Sequence, residues 1–325
     1  MADEGIRRTM GRSWAVVLAA GDGARLRPLT RRLYGEPLPK QFAVLDGERS
    51  LLQTTMDRLA PRFPADRTVV VVGRQHDALA REQLRGYAGV DVVIQPANLG
   101  TGPGLLLPLA RIRARDPAAR VAVFPSDHHV PRPRRLLAGV ERALCARAPS
   151  GLALIGVEAD HAATDLGWIV PLRGAASRAD GIWRVQRFVE KPDSGLAEEL
   201  LRQGALWNTF IIVGPLASFW AEARLRLPRA ARLFGTYARA VGMPAEERLL
   251  DLVYSRLKPA DFSRDVLQRA RKLLVVPVRG SRWSDWGSPR RVIQSLRGAM
   301  HAKLLLDRMR SRRGGGMLPG PSPGS

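Results

Sequence analysis

Short apolar segments rich in β-branched residues alternate with longer amphipathic segments through the first half of the chain. Buried strands are predicted at residues 15–20, 69–72, 92–94, 121–124 and 152–155. The segments between them, at 50–59, 76–85, 104–115 and 133–147, have the composition of helices. Buried strands that alternate with helices of about ten residues indicate a mainly parallel sheet covered on both faces.

The pattern changes after residue 151. Strands are predicted at 167–170, 182–189 and 207–213, where they would form a mixed sheet, and helices dominate 215–267. A strand at 273–276 precedes a loop and a last helix that runs from 289 to about 312. The Gly-, Pro- and Ser-rich end is predicted to be disordered. We therefore expect one domain over 13–300, between a flexible segment at 1–12 and a helix end and tail at 301–325.

Composition narrows the class of protein. The 325 residues are 45% hydrophobic, which allows a sizeable core, and no apolar stretch reaches the roughly 18 residues of a membrane helix. The single cysteine, Cys145, excludes an internal disulfide and a cysteine metal cluster and fits a reducing cytoplasm. A net charge of +22 raises nucleic-acid binding as an alternative. The arginines are scattered with few aromatics among them, however, so a general arginine bias and an attraction for anionic small molecules are favoured.

The first predicted strand ends in a glycine-rich turn that contains Gly21 and Gly23, with Arg25 beyond it and Lys40 further on. Glycines let backbone N–H groups approach a phosphate, and the two cations add positive charge. A cationic, donor-rich turn at the carboxyl end of a first strand is typical of a nucleotide phosphate site. The Walker pattern is absent, and the dinucleotide fingerprint fails because Leu26 replaces its third glycine.

The full string LAAGDGARLRPLT, followed by PKQF, resembles the signature of the sugar-phosphate nucleotidylyltransferase family, and within it the mannose-1-phosphate guanylyltransferases. Further motifs follow in the family's order, namely QPANLGT, PSDHH, FVEKP, LWNTF and WSDWG, so the resemblance covers about 14–296. It implies a Rossmann-like, mainly parallel or mixed sheet flanked by helices, with a helical C-terminal region. Residues 13–150 would form the nucleotide-binding half and 151–300 the sugar-binding half.

The resemblance implies a reaction in which GTP and mannose 1-phosphate give GDP-mannose and pyrophosphate. The composition places it in the cytoplasm, without a membrane partner and with nucleic acid disfavoured despite the basic charge. The resemblance leaves a homodimer open. One alternative keeps the chemistry and changes the substrates, for example to glucose 1-phosphate with UTP or dTTP. Another is a non-catalytic regulatory homologue that only binds sugar nucleotides.

Joining two anions calls for Mg²⁺, which prefers one or two carboxylates together with phosphates and water. Asp127 in PSDHH and Asp285 in WSDWG each follow a predicted strand, and their contexts resemble the family's metal-binding aspartates. A helix N-cap at Asp127 and a turn cap at Asp285 are the structural alternatives. Without a third ligand, His128 and His129 are expected to make local hydrogen bonds rather than bind zinc.

The remaining roles also come from the resemblance. The predicted catalytic residues are Arg25, Lys40, Asp127, Lys191 and Asp285. The predicted nucleotide-binding residues are Ala20, Gly21, Gly23, Gln95, Gly100 and Thr101. The predicted sugar-binding residues are Gly167, Glu190, Asn208 and Thr209. A salt bridge between the neighbours Glu190 and Lys191, and an ordinary loop that caps a helix at 95–101, are the structural alternatives.

Two departures from the family pattern bear on these assignments. The segment WNTF has Thr209 and Phe210 where the family usually has Ser and Gly, which puts the identity of the sugar in question. An insertion at 31–39 lengthens the path from Arg25 to Lys40, and residues 34–37 are predicted to form a small flap. If that flap displaced Lys40, the role predicted for this lysine would fail.

Overall fold

The computed structural model describes residues 9, 12–146, 151–172 and 181–296. The predictions for most of 1–12, for the last helix beyond residue 296 and for the C-terminal tail lie outside these residues. Within the described part, no helix is long and apolar enough to cross a membrane. The division into halves at residue 150 stays a prediction.

Four parallel strands form the first part of the sheet. They are β1 (Trp14–Ala19), β2 (Thr68–Gly73), β3 (Asp91–Gln95) and β4 (Arg120–Pro125), in the spatial order β3-β2-β1-β4. Every residue of β2 is buried, because helices cover both faces of the sheet and leave no solvent side for polar residues. The parallel arrangement predicted from the valine-rich segments is confirmed.

Five helices accompany these strands among the described residues. They are α1 (Arg27–Tyr34), α2 (Leu51–Leu59), α3 (Asp77–Leu84), α4 (Thr101–Arg115) and α5 (Pro133–Cys145). Side chains of α2, α3 and α5 pack with Val70 and Val72 on one face, whereas α4 packs with Val69 and Val71 on the other. Helix α1 was not predicted.

The start of α4 was predicted at residue 104, but the helix begins at Thr101. A residue distant in the sequence supplies an acceptor for its first turn, because the N–H of Gly102 donates to the carbonyl of Ala260 at 2.9 Å. The Thr101 hydroxyl accepts from the N–H of Phe262 at 2.7 Å. These tertiary contacts anchor a helix start that local sequence does not reveal.

Five further strands complete a mixed nine-stranded sheet in the described residues. They are β5 (Leu152–Glu158), β6 (Gly167–Pro171), β7 (Trp183–Glu190), β8 (Leu206–Pro215) and β9 (Leu273–Val278). The order continues from β4 as β8-β5-β9-β7-β6. Strand β8 runs antiparallel to both β4 and β5, and its first residues also pair with β6. The predicted change from a parallel to a mixed sheet is confirmed.

The second half adds five more α-helices within the described part. They are α6 (Ser194–Arg202), α7 (Leu216–Arg226), α8 (Pro228–Tyr237), α9 (Glu246–Ser255) and α10 (Pro289–Leu296). A small apolar cluster joins α10 to α1, since Val292 and Leu296 pack with Leu26, Leu29 and other residues. This cluster holds the segment after the glycine turn against the segment around residue 286.

Candidate active site

The glycine turn packs directly against the segment that contains Lys40. Gly23 has a φ of +58°, and a Cβ at this position would lie 2.5 Å from the backbone N of Lys40. Only glycine accommodates both the left-handed conformation and this approach. The Gln41 side chain then donates to the carbonyls of Ala19 at 2.9 Å and Gly21 at 2.7 Å. Gln41 therefore fixes the turn, a role that was not predicted for it.

Lys40 joins the two aspartates that were predicted as metal ligands. Its buried ammonium lies 2.9 Å from Asp127 Oδ2 and donates to the main-chain carbonyl of Asp285 at 2.5 Å. Burial alone would raise the pKa of Asp127, but the Lys40 ammonium and His128 beside it hold that pKa below its ordinary value. Asp127 is therefore a carboxylate at neutral pH.

The insertion at 31–39 does not displace Lys40. Part of the insertion extends helix α1 to Tyr34, and Gly35 ends the helix with a φ of +85°. Residues 36–39 then lead the chain back to the glycine turn, so the side chain of Lys40 reaches Asp127. The geometry that the predicted role of Lys40 needs is retained.

The PSDHH and WSDWG segments lie side by side. His129 and Ser284 exchange two main-chain hydrogen bonds of 3.0 Å, and the His129 ring stacks on Trp286 at 4.2 Å. The indole of Trp283 donates to His128 Nδ1 at 3.2 Å. Burial lowers the pKa of His128 and of His129 to about 4, so both rings are neutral at pH 7. The predicted local hydrogen bond is thus present for the ring of His128, whereas the His129 ring is held by stacking.

Two arginines and two aspartates alternate in a ring, which we call the Arg–Asp ring: Arg25, Asp165, Arg291 and Asp285. Arg25 lies 3.0 Å from Asp165 Oδ2 and 3.6 Å from Asp285 Oδ2. Arg291 closes the ring with contacts of 2.6 Å to Asp165 Oδ1 and 2.8 Å to Asp285 Oδ1. Burial opposes ionisation of Asp165, but hydrogen bonding and charge from the arginines lower its pKa.

Neither Asp165 nor Arg291 was predicted as a site residue. Asp165 lies two positions before Gly167 in the string TDLGW, which offered a weak signal. Arg291 carried no signal, because it is one of 47 arginines in the sequence.

The two structural alternatives for the aspartates have different outcomes. Asp127 is not a helix cap, since α5 begins at Pro133 and its N-cap residue is Arg132. Asp285 does form the turn, because its Oδ1 accepts from the N–H of Gly287 at 3.0 Å. A Cβ on Gly287 would lie 2.3 Å from Asp285 Oδ2, so this glycine gives the carboxylate its space.

A contact between side chains links the glycine turn to the loop at 95–101. Asn98 donates to Asp22 Oδ2 at 2.8 Å. Gly100 has a φ of +86° and packs on Ala260, while Thr101 accepts a hydrogen bond from Phe262. Gln95 is buried, and its Oε1 has no hydrogen-bond partner among the residues that the structure describes. The two predicted nucleotide loops are thus neighbours, although Thr101 also starts a helix as the structural alternative required.

The predicted sugar-binding residues meet where β6, β7 and β8 lie together. Gly167 pairs with Glu190, and a Cβ on Gly167 would lie 2.7 Å from Glu190 Oε2 and 3.3 Å from the Cβ of Asn208. Burial raises the pKa of Glu190, an effect that Lys191 opposes. Lys191 lies 3.7 Å from Glu190 and is largely exposed, so the salt-bridge alternative is present in the structure.

Thr209, one of the predicted sugar-binding residues, has a hydroxyl that is already hydrogen-bonded within the protein. Its side chain is fully buried, and its hydroxyl donates to the carbonyl of Ile155 at 2.7 Å. The same hydroxyl accepts from the N–H of Ile211 at 3.2 Å. Thr209 therefore satisfies backbone groups where the pairing of β5 with β8 is irregular, between residues 154 and 156.

The carboxylates suit a magnesium ion that is shared with phosphates. Within the described ranges, no group of three or more His, Cys, Asp or Glu side chains is arranged to hold a metal by itself. Mg²⁺ usually takes only one or two carboxylates and completes its shell with phosphate and water oxygens. Asp127 and Asp285 are two such carboxylates, and the described charged groups that contact them, apart from the neutral ring of His128, are the cations Lys40, Arg25 and Arg291. The donor set therefore fits Mg²⁺ bound together with a nucleotide.

The sheet and this site define an α/β protein with a glycine turn packed beside a buried lysine and two aspartates. Comparison with known families matches residues 14–299 to the nucleotidyl transferase family. The chain therefore belongs to that family.

Relatives of known name agree with this membership. The mannose-1-phosphate guanylyltransferase 2 of Escherichia coli O157:H7 is 29% identical over 293 residues, 84% of this chain and 58% of that protein. A mannose-1-phosphate guanylyltransferase of Salmonella montevideo is 28% identical, with 84% and 58% covered. The chain thus spans a little under three fifths of the length of these relatives.

A similar solved structure is described as mannose-1-phosphate geranyltransferase from Thermus thermophilus. It superposes with a TM-score of 0.73 at 28% identity and covers 88% of this chain and 79% of that chain. The mixed sheet flanked by helices is thus the fold of a nucleotidyltransferase.

Proposed function

We propose that the protein transfers a guanylyl group from GTP to mannose 1-phosphate and releases pyrophosphate. The observation that carries the proposal is the meeting of the glycine turn, Lys40, Asp127 and Asp285 at one place, although they are far apart in the sequence. A phosphate-binding turn, fixed cations and a carboxylate pair are what nucleotidyl transfer between two anions requires.

In this proposal Asp127 and Asp285 hold Mg²⁺. When bound, the ion supplies Lewis-acid stabilisation of the charge that develops on the phosphates. Asp127 is already ionised beside Lys40, so it needs no proton loss to become a ligand. The chain holds both carboxylates on packed segments, since β4 precedes Asp127 and the bridge between His129 and Ser284 ties the two segments together.

The cations act on the triphosphate. Backbone N–H groups of the glycine turn face the phosphates, and Arg25 neutralises charge on the departing pyrophosphate. Arg25 is suited to this because its side chain is 58% exposed and its contacts with Asp165 and Asp285, at 3.0 and 3.6 Å, are longer than those of Arg291. Lys40 is buried and fixed, so it orients Asp127 and places a constant positive charge beside the reacting phosphorus. An oxygen of the sugar phosphate attacks the α-phosphorus, and pyrophosphate leaves in line.

The sugar side is assigned to Gly167, Glu190, Asn208 and Lys191. The missing side chain at Gly167 opens space beside Glu190 and Asn208, whose oxygens can bind sugar hydroxyls. The exposed ammonium of Lys191 can leave Glu190 to meet the sugar phosphate. The choice of mannose and guanine is supported by the names of the relatives in Escherichia coli and Salmonella.

The first experiment measures pyrophosphate release from the purified chain with GTP, UTP, dTTP and ATP, each with mannose 1-phosphate or glucose 1-phosphate. GTP with mannose 1-phosphate is expected to react fastest with Mg²⁺ present. A strong preference for a pyrimidine nucleotide would contradict the guanylyl assignment. Binding without turnover for every pair would favour a regulatory role instead.

A second experiment replaces Asp127 by Asn, with Asp116→Asn as the matched control. Asp127 pairs with Lys40 at 2.9 Å and is 34% exposed, and Asp116 pairs with Arg67 at 3.2 Å and is 29% exposed. Removing a metal ligand is expected to lower kcat about 10³-fold, which is about 4 kcal/mol of transition-state stabilisation. Asp116→Asn should keep wild-type turnover. Equal rates for the two variants would remove Asp127 from the metal site.

A further inference from the structure

The two oxygens of the Asp285 carboxylate have different surroundings in the Arg–Asp ring. Oδ1 accepts two good hydrogen bonds, from Arg291 Nη1 at 2.8 Å and from the N–H of Gly287 at 3.0 Å. Oδ2 has, among the described residues, the looser contact with Arg25 at 3.6 Å and no hydrogen bond. Oδ1 therefore has its hydrogen-bonding capacity filled and is held in place, whereas Oδ2 can still bind another group.

The two arginines of the ring are also unequal. The side chain of Arg291 is 21% exposed and bridges two carboxylates through its two terminal nitrogens, whereas that of Arg25 is 58% exposed. The backbones do not distinguish the two arginines, because the next residues, Leu26 and Val292, pack in the same apolar cluster. The guanidinium of Arg291 makes shorter contacts, at 2.6 and 2.8 Å against 3.0 and 3.6 Å for Arg25, and therefore has less freedom. We therefore expect Arg25 to move out of the Arg–Asp ring more easily than Arg291, whose contacts are more buried and shorter.

Asp165 accepts hydrogen bonds from both arginines of the ring. Its Oδ1 holds Arg291 at 2.6 Å, and its Oδ2 holds Arg25 at 3.0 Å. Arg25 lies 3.0 Å from Asp165 and 3.6 Å from Asp285. The closer contact with Asp165 therefore draws its guanidinium away from Asp285 Oδ2. Asp165 thus anchors the fixed arginine and gives the mobile one a resting position.

We infer that Arg291, anchored by Asp165, is a positioning residue that holds Asp285 Oδ1 and presents Oδ2 as the ligand atom for a divalent cation. The inference rests on the proposed function, because it takes Asp285 as a metal ligand. Groups that hydrogen-bond to a ligating side chain set its orientation, and their loss typically costs about 10- to 100-fold in metal affinity or activity. Without Arg291 the Asp285 side chain would rotate toward Arg25, which would then cover Oδ2.

The chain offers a matched control for this arginine. Arg111 is 23% exposed and likewise bridges two acids, Asp91 at 3.0 Å and Glu246. It lies in α4 and contacts no residue of the Arg–Asp ring in the described contacts. Arg111→Lys and Arg291→Lys remove the same planar fork and keep the same charge. A purely structural effect of the substitution would be alike in the two variants.

The test is binding of Mn²⁺ to the full chain with GTP and without a sugar phosphate, followed by the electron paramagnetic resonance signal of the free ion against a sample of Mn²⁺ and GTP alone. Arg291→Lys is expected to weaken Mn²⁺ binding about 10-fold or more. Arg111→Lys should bind as wild type does, and thermal unfolding of both variants measures the general loss of stability. Asp165→Asn, which keeps the shape of the side chain, should also weaken binding and guards against misfolding of the Arg291 variant.

Pyrophosphate release gives the second readout. In Arg291→Lys the Mn²⁺ concentration for half-maximal rate should rise by the same factor, and kcat at saturating Mn²⁺ should recover to within a few-fold of wild type. Wild-type Mn²⁺ affinity in both ring variants, or an equal loss in Arg111→Lys, would overturn the inference and leave the proposed function standing. If no pair of nucleotide and sugar phosphate were turned over, while the Arg291 and Asp165 variants still bound Mn²⁺ more weakly, the proposed function would be refuted and the role of Arg291 supported.

Discussion

Gly287→Ala is expected to inactivate the site while the fold survives. A Cβ at residue 287 would lie 2.3 Å from Asp285 Oδ2 and 2.9 Å from Arg25 Nη1. Carbon and oxygen atoms that are not bonded need more than about 3 Å, so the carboxylate must move by about 1 Å. Both obstructing atoms are ends of side chains, and the backbone around residue 287 can stay where it is.

The size of the effect follows from the displacement. An error of about 1 Å in the placement of a reacting or positioning group can cost about 10²-fold in rate, which is about 2.7 kcal/mol. Stability should change much less, because alanine also restricts the unfolded chain and offsets part of the strain. The expected signature is therefore a large loss of kcat with a small change in the free energy of unfolding.

The assay is pyrophosphate release at saturating GTP, mannose 1-phosphate and Mg²⁺, with urea unfolding of the same preparations. Gly86→Ala is the matched control, since a Cβ at that position meets nothing within 4 Å and the backbone there is not left-handed. It should keep wild-type turnover. If Gly287→Ala also turned over within a few-fold of wild type, the position of Asp285 Oδ2 would not matter for turnover. That result would contradict the role of Asp285 as a metal ligand.

Two further predictions concern buried polar groups. Lys40→Met leaves the carboxylate of Asp127 without its cation, and it should destabilise the fold by about 1–2 kcal/mol at pH 7, because Asp127 is partly exposed. In the wild type this stabilisation is present above the ordinary carboxyl pKa of about 3.9 and is lost as the pH falls through the lowered pKa of folded Asp127. Urea unfolding from pH 3 to 7 should show that loss in the wild type and not in the variant. Thr209→Val should also cost about 1–2 kcal/mol, with an unchanged KM for mannose 1-phosphate, and a raised KM at wild-type stability would restore Thr209 to the sugar site.

Sequence patterns predicted the strands of the parallel part of the sheet, but not the order in which the later strands pair with one another. The valine-rich segments indicated β1 to β4 because strands buried on both faces need apolar residues at every position. The same patterns could not show that β8 enters the sheet between β4 and β5. An apolar strand carries no information about which neighbour it pairs with, and that choice depends on how the whole chain packs.

Site prediction shows the same division. Arg25, Lys40, Asp127 and Asp285 lie in motifs whose glycines, prolines and tryptophans make them recognisable, and the structure brings them together. Gln41 went unnoticed because its role is to bind backbone carbonyls of the turn, which many polar residues could do. The sugar-binding role of Thr209 stays a prediction, since its hydroxyl binds backbone groups and a motif position does not reveal whether a hydroxyl faces a pocket or the interior.

The sequence by itself determined the alternation of strands and helices, the glycine turn, and the charged residues that such a turn requires, because each depends on local backbone preference and side-chain chemistry. Only the tertiary structure decided that Arg291, from the last described helix, would meet Asp165 and Asp285. Contacts between residues 126 positions apart depend on packing of the apolar cluster that joins α1 and α10. No local pattern distinguishes that arginine from the others, so its place in the site could be known only from the folded molecule.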